Sequence, residues 1–167
     1  MRRTTVSYGH DIEAAWLLPE AADLLATKNA RSGVPGDRLF QETVRNLAVN
    51  MARAAQTGLD PDGGMNYECD TTTGHLKRER SWCVMAEAMI GFMNAYQLTG
   101  EKPFLNQSLQ SWEFIKNHLF DTKNGEWFSG VDEKHRVLGI SKISLWKCPY
   151  HNSRACLEML DRLEHLR

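Results

Sequence analysis

Apolar residues recur with a helical period in five stretches of this chain, and two long stretches between them lack it. A 3.6-residue apolar period commits a segment to an amphipathic helix. Long irregular connections inside a compact domain are usually functional. The pattern predicts helix pairs, joined by short turns at one end and by elaborate loops at the other.

The first predicted helix covers residues 10–27, with Ile12, Trp16, Ala22 and Leu25 on its inner side. Pro19 lies within it, and a mid-helix proline costs ~3 kcal/mol, so a kink or a break is expected there. A second helix is bracketed by Pro35 and Gly58 and carries Leu39, Phe40, Val44, Leu47 and Met51. The third starts near Glu79 and reaches Leu98, with Trp82, Met85, Met89, Phe92 or Met93, and Tyr96 at helical spacing; Thr99-Gly100 ends it. Pro103 opens the fourth, in which Leu105, Leu109, Trp112, Ile115 and Leu119 share a face. The fifth runs from Asn152, an N-cap candidate, to about Leu166.

Within residues 63–78, Met65-Asn66-Tyr67-Glu68-Cys69 alternates like a short strand. Within residues 121–150, Asn124-Gly125 is a strong tight-turn signal, and a second turn is expected near Asp132-Glu133-Lys134. The fold class is therefore all-α, with small β-hairpins in the long loops.

The chain has 167 residues, one domain's worth. Its formal net charge of −1 gives no electrostatic reason to expect nucleic acid or an anionic membrane as a partner. No apolar run approaches the ~20 residues that a membrane span needs. The basic start, Met-Arg-Arg, is followed by no apolar core, so it does not read as a secretory signal. The four cysteines form no C-x-x-C pair; Cys83 and Cys156 fall in helical patterns and read as buried free thiols of a cytoplasmic protein.

Two histidines stand where loops meet helices: His10 in Tyr8-Gly9-His10-Asp11-Ile12-Glu13, and His151 in Trp146-Lys147-Cys148-Pro149-Tyr150-His151-Asn152-Ser153-Arg154. Imidazole titrates near neutral pH, so one ring can serve as a base while another serves as an acid. Two such groups facing one another suit a reaction that takes a proton from one face of a carbon and returns it to the other. The plain alternatives are that each histidine hydrogen-bonds a loop, that glutamates on helices are solvated, and that tryptophans pack in the core. Trp16, Trp112 and Trp127 read as packing residues. His75, His118, His135 and His165 lack metal-ligand spacing and read as surface residues.

The segments around His10 and His151, together with Arg80-Ser81-Trp82, Ala86-Glu87-Ala88 and Asn124-Gly125-Glu126-Trp127-Phe128, resemble the cellobiose 2-epimerases, a branch of the N-acylglucosamine 2-epimerase superfamily. The resemblance covers nearly the whole chain and only the C-terminal part of the family's length. It implies a partial (α/α)6 barrel, with five to six helices making about half a toroid, and residues 1–167 forming a single C-terminal half-domain.

The implied reaction is epimerisation at C2 of the reducing-end glucose of a β-1,4-linked disaccharide such as cellobiose or lactose. The ring opens, a histidine removes the C2 proton, and a cis-enediolate is reprotonated from the opposite face. No metal or organic cofactor is implied. His10 and His151 would be the acid/base pair. Glu13 and Glu87 would orient a histidine or bind sugar hydroxyls, and Trp82 and Trp146 would stack against the sugar rings.

Cys83 stands where relatives often carry a second tryptophan, which would loosen that wall. The family also uses an arginine and a further histidine from its N-terminal half, for which this chain has no counterpart. Self-association across the open side, or a companion N-terminal half, is expected as a partner. The same superfamily's N-acylglucosamine or mannose chemistry, and a non-catalytic carbohydrate-binding or vestigial helical domain, are the rival readings.

Overall fold

The computed structural model describes residues 4–32 and 38–166. Strand β1 (Thr5–Ser7) runs directly into helix α1 (Tyr8–Arg31), followed by α2 (Arg38–Ala55) and a 3₁₀ turn, Gln56–Gly58. Strands β2 (Glu68–Asp70), β3 (Leu76–Lys77) and β4 (Arg80–Ser81) lead into α3 (Trp82–Thr99). Then come α4 (Lys102–Phe114), which ends in a π-helical turn (Ile115–Leu119), strand β5 (Gly130–Val131) and α5 (Tyr150–Glu164). The chain is mostly helical, with two small antiparallel sheets. Among the described residues, no helix is long and apolar enough to cross a membrane.

Helix α3 is the axis of the packing. Its residues from Val84 to Ala95 are buried without interruption, on every side of the helix. A helix apolar all round must be enclosed by its neighbours, and α1, α2, α4 and α5 all pack against it. The sequence reading gave α3 one apolar face; Ala86, Ala88 and Gly91 supply the others.

The α1–α3 crossing is close because glycines face side chains across it. A Cβ on Gly9 would lie 2.7 Å from Val84 Cγ2, and one on Gly91 would lie 2.5 Å from Ile12 Cγ1.

Pro19 does not break α1, which is continuous from Tyr8 to Arg31. Proline removes the N–H that would bond the carbonyl four residues back, that of Ala15. Asn94 of α3 replaces it, donating from Nδ2 to the Ala15 carbonyl at 3.2 Å in a buried position. The Asn94 Oδ1 in turn accepts from Arg162 of α5 at 3.1 Å. The local defect thereby becomes a three-helix junction.

Other expectations are corrected by the packing. Helix α2 turns Ala48, Ala52 and Ala55 inward, while Leu39, Phe40 and Leu47 lie exposed. Its expected start, Pro35, lies outside the described residues. In α4 the buried positions are Phe104, Ser108, Ser111 and Phe114, and Leu109 is exposed. Leu25 of α1 is exposed as well.

Helix α3 begins at Trp82 and not at Glu79, because Arg80 and Ser81 pair with Val131 and Gly130. The alternating segment forms its strand slightly later than expected, at Glu68–Asp70, between β1 and β3. Asn152 sits inside α5, whose first turn is closed by the Ser153 N–H on the Pro149 carbonyl. Cys83 is half-buried and Cys156 exposed, and all four cysteines are unpaired.

Both expected loop turns form. Gly125 and Glu126 take positive φ, 74° and 64°, and Phe120 bridges Trp127 across the turn. Asp121 closes it with bonds to the Asn124 side chain and to the Lys123 and Asn124 N–H groups. The turn at Asp132 brings Val137 beside Val131. His118 and His135 are half-buried with their rings tilted against each other, 4.1 Å between centroids, and His135 Nε2 lies 2.9 Å from Asp62, so neither is a simple surface residue.

Apolar side chains also collect on the outside. A groove of about 410 Å3 lies between α3, α4 and α5, lined by Met89, Met93, Leu109, Trp112, Met159 and Leu160.

Removing the Asn94 side chain leaves the Ala15 carbonyl and Arg162 each short of a partner. Asn94→Ala is expected to destabilise by about 2–3 kcal/mol in urea unfolding. In a Pro19→Ala background, where residue 19 regains its N–H, that loss should shrink by about 1 kcal/mol. Equal losses in both backgrounds would contradict the replacement of the missing bond by Asn94.

Candidate active site

The first turns of α1, α3 and α5 converge beside the small sheets. Strand β1 delivers the chain into α1 at Ser7–Tyr8, and β4 delivers it into α3 at Ser81–Trp82. The strands thus fix where each helix starts and which side chains its first turns present.

A small concavity of about 70 Å3 opens there, lined by Ser7, Gly9, His10, Glu13, Tyr67, Cys83, Val84, Glu87 and His151. Of the residues singled out by sequence, His10, Glu13, Glu87 and His151 therefore come together. Trp82 is half-buried behind them, with its ring edge-on to His151 at 6.4 Å between centroids. Trp146 lies on the loop before α5 and is 88% exposed; it does not line the concavity.

Glu87 is the centre of the arrangement. Its side chain is 2% exposed. One oxygen, Oε2, accepts from the Trp16 indole N–H at 2.8 Å. The other, Oε1, lies 2.7 Å from His151 Nδ1 and 2.6 Å from Arg154 Nη2. The same Arg154 nitrogen reaches Glu13 Oε1 at 2.5 Å. The guanidinium also stands over the Trp16 ring, 5.0 Å from its centroid.

Burial by itself would lower the Arg154 pKa, but its hydrogen bonds to Glu13 and Glu87 outweigh that and hold it above the ordinary arginine value. A buried carboxylate without such partners would not stay charged.

The hydrogen bonds select nitrogens. A carboxylate can only accept, so His151 presents an Nδ1–H to Glu87, and its Nε2 is left outside that bond. His10 Nδ1 lies 2.7 Å from Ser7 Oγ, which leaves its Nε2 as the outward nitrogen. Each imidazole is thus tethered at one nitrogen and available at the other.

Glu13, Glu87 and His151 also offer ligand atoms within 4.8 Å of one another, a spacing that can hold a metal ion. Arg154 already supplies both carboxylates with a cation, and His151 Nδ1 is engaged with Glu87. The charge that a metal would bring is therefore already present.

Sequence reasoning overlooked Trp16, taken for plain core, and the role of Arg154. The signal for Arg154 was its spacing, three residues after His151 and so on the same face of the helix. Nothing local marks Trp16, which is fully buried.

Cys83 sits at the rim, 3.3 Å from Ser81 Oγ. Burial, helped by the nearby Glu87 charge, pushes its thiol above the ordinary range against the Ser81 contact.

The N-acylglucosamine 2-epimerase (GlcNAc 2-epimerase) family matches residues 1–155, and the chain belongs to that family. It is 42% identical to a cellobiose 2-epimerase of Bacteroides fragilis over 93% of its own length and 37% of the relative's. A cellobiose 2-epimerase of Ruminococcus albus is 37% identical, again with 93% of this chain but 38% of the relative covered. A crystal structure described as a sugar epimerase from a ruminal bacterium superposes on 95% of the chain, with TM-score 0.83 and 36% identity, and is itself covered to 38%. The chain thus spans well under half the length of these relatives.

Two outcomes test the site. Arg154→Met should destabilise by about 3–5 kcal/mol, the usual loss when one partner of a buried ion pair is removed. Adding Glu87→Gln should recover part of it, because the stranded charge is then gone; a double variant no better than the single would show that the charges are not coupled. In a chain keeping Cys83 alone (Cys69, Cys148 and Cys156→Ser), disulfide-reagent labelling at pH 8 should be several-fold slower than for a free thiol, and the rate should still be rising at pH 9.

Proposed function

We propose that this chain carries the C2 proton-transfer half of a carbohydrate 2-epimerase site, acting on the reducing-end glucose of a β-1,4-linked disaccharide such as cellobiose or lactose. The observation that carries the reading is that His10 and His151, 141 positions apart, line one concavity together with Glu13 and Glu87. Family membership and the cellobiose 2-epimerase relatives support the same reaction class.

Two imidazoles suit the step because each works near neutral pH. With the sugar ring open, the free Nε2 of one histidine takes the C2 proton. The carbonyl oxygen at C1 takes up the electron pair, giving a cis-enediolate. The other histidine delivers a proton to the opposite face of C2, and ring closure leaves the epimer. The reaction is redox-neutral, so it calls for no oxidant or reductant.

Glu87 holds the His151 tautomer that leaves Nε2 basic. Arg154 donates to both Glu87 and Glu13 and so supplies the cation that faces them. Glu13 and Glu87 also suit binding to sugar hydroxyls, and Trp82 suits stacking on a pyranose face. Trp146 joins as a second stacking surface once the substrate or another part of the assembly meets its loop. The protein is read as a cytoplasmic enzyme with reduced thiols.

The helices form about half of a double-layered (α/α)6 ring, and residues 1–167 act as one unit within it. The exposed apolar faces of α1, α2 and α5 and the groove beside α5 fit packing against the rest of such a ring. A companion part with the remaining walls, including the groups that open the sugar ring, completes the site; a second copy of the chain is the other candidate.

The test is an epimerase assay on cellobiose, following glucosyl-mannose, for the chain alone and after mixing with the region of a relative that this chain does not cover. Turnover in either case should fall at least 100-fold with His151→Ala or His10→Ala. Cellobiose binding without turnover in both cases would favour a carbohydrate-binding domain. N-acylglucosamine or mannose turned over in place of cellobiose would move the substrate within the family.

A further inference from the structure

The loop before α5 carries a lysine that the reaction does not use. Lys147 is 1% exposed, although lysine is almost never fully buried without a partner. Its ammonium donates to Glu126 Oε1 at 2.6 Å and stands over the Trp82 ring, 5.2 Å from the centroid. The same Glu126 oxygen accepts from Asn152 Nδ2 at 3.0 Å. Asn152 follows His151 directly in the first turn of α5, and Trp82 meets the His151 ring edge-on.

Glu126 reaches this position from a left-handed backbone, φ 64°, which a long side chain rarely adopts. Such a conformation persists when the surroundings hold it. Here the side chain has two partners to hold it, and its carboxyl pKa is lowered by the bonds from Lys147, Asn152 and its own turn, although burial opposes them.

The three contacts make a triangle. Lys147 ties the loop to one face of Trp82. Glu126 ties that lysine to α5 through Asn152. Trp82 and His151 form the side opposite.

We infer that Lys147 and Glu126 are positioning residues, which fix the Trp82 face and the His151 ring relative to one another; this rests on the epimerase reading of the site. With a cation against one indole face, only the other face is left for a sugar. Anchoring Asn152 sets the azimuth of the α5 first turn, and so where the His151 Nε2 points. What the lysine brings to these contacts is its charge, so arginine should serve in part and methionine, of similar length, should not.

The experiment is proton and nitrogen NMR of the chain without ligand, comparing wild type with Lys147→Met, Lys147→Arg and Glu126→Gln. The expected result is loss of the nuclear Overhauser cross-peaks between the Trp82 and His151 rings in Lys147→Met and Glu126→Gln. Lys147→Arg should retain them. The Trp112 indole resonance, from the α4 wall of the groove between α3, α4 and α5, should move less than that of Trp82 in all three.

Unchanged cross-peaks in a folded Lys147→Met or Glu126→Gln chain would overturn the inference, as would Trp112 moving as much as Trp82. None of these readouts needs turnover, so the inference and the epimerase reading fail separately. In an assembly that turns cellobiose over, Lys147→Met should lower kcat at least tenfold. A change confined to KM would also count against it.

Discussion

A buried carboxylate organises this molecule. Glu87 lies on the enclosed helix α3, 2% exposed, where an isolated charge would be far costlier than any helix packing could offset. It is made tolerable by an indole from α1 and by an imidazole and a guanidinium from α5. Those partners can reach it only if α1 and α5 dock on α3 in one rotation and one register. The requirement that satisfies the charge therefore also assembles the site. Glycines at the α1–α3 crossing let the backbones come near enough for Trp16 and Glu13 to take part.

The same economy appears a few turns away. Pro19 leaves a carbonyl without its internal partner, and Asn94 supplies one from the next helix. Arg162 then bonds Asn94 and Gln97, pairs with Glu20, and stacks over Trp16. Trp16 is thus flanked by two arginines from α5 while its N–H serves Glu87. Helix α5 buries Ala155 against the core, makes polar contacts to α1 and α3, and leaves all three of its leucines, Leu157, Leu160 and Leu163, exposed. Such a helix is specified in orientation by its arginines more than by its apolar face.

Much of this was legible beforehand, for local reasons. Five helices were readable from apolar period, and Gly100 and Asn124-Gly125 marked a stop and a turn because positive φ favours glycine. His10, Glu13, Glu87 and His151 were picked out from motifs and do share a concavity. Where reading failed, the winning effect was tertiary. Leu39, Phe40 and Leu47 form a good apolar stripe, yet α2 turns its alanines inward, since small residues let it approach α1 and α3. Pro19 looked like a kink or a break because the rescuing Asn94 lies 79 residues from the carbonyl it serves. Glu79 looked helical because nothing in sequence shows Arg80 and Ser81 pairing with β5. Trp146 was read beside Trp82 from its motif, whereas the described fold leaves it on an exposed loop.

The sequence by itself determined the periods, the punctuation and the family motifs, because each of these is written in neighbouring residues. Only the tertiary structure decided which groups are partners. Arg154 holds Glu13, 141 residues earlier, and Glu87, 67 residues earlier. Lys147 finds Glu126 and the face of Trp82. Periodicity says which face of a helix is apolar, but it carries no information on how two helices are rotated against each other. Hydrogen bonds shorter than 3 Å depend on that rotation, so they appear only when the whole core has packed.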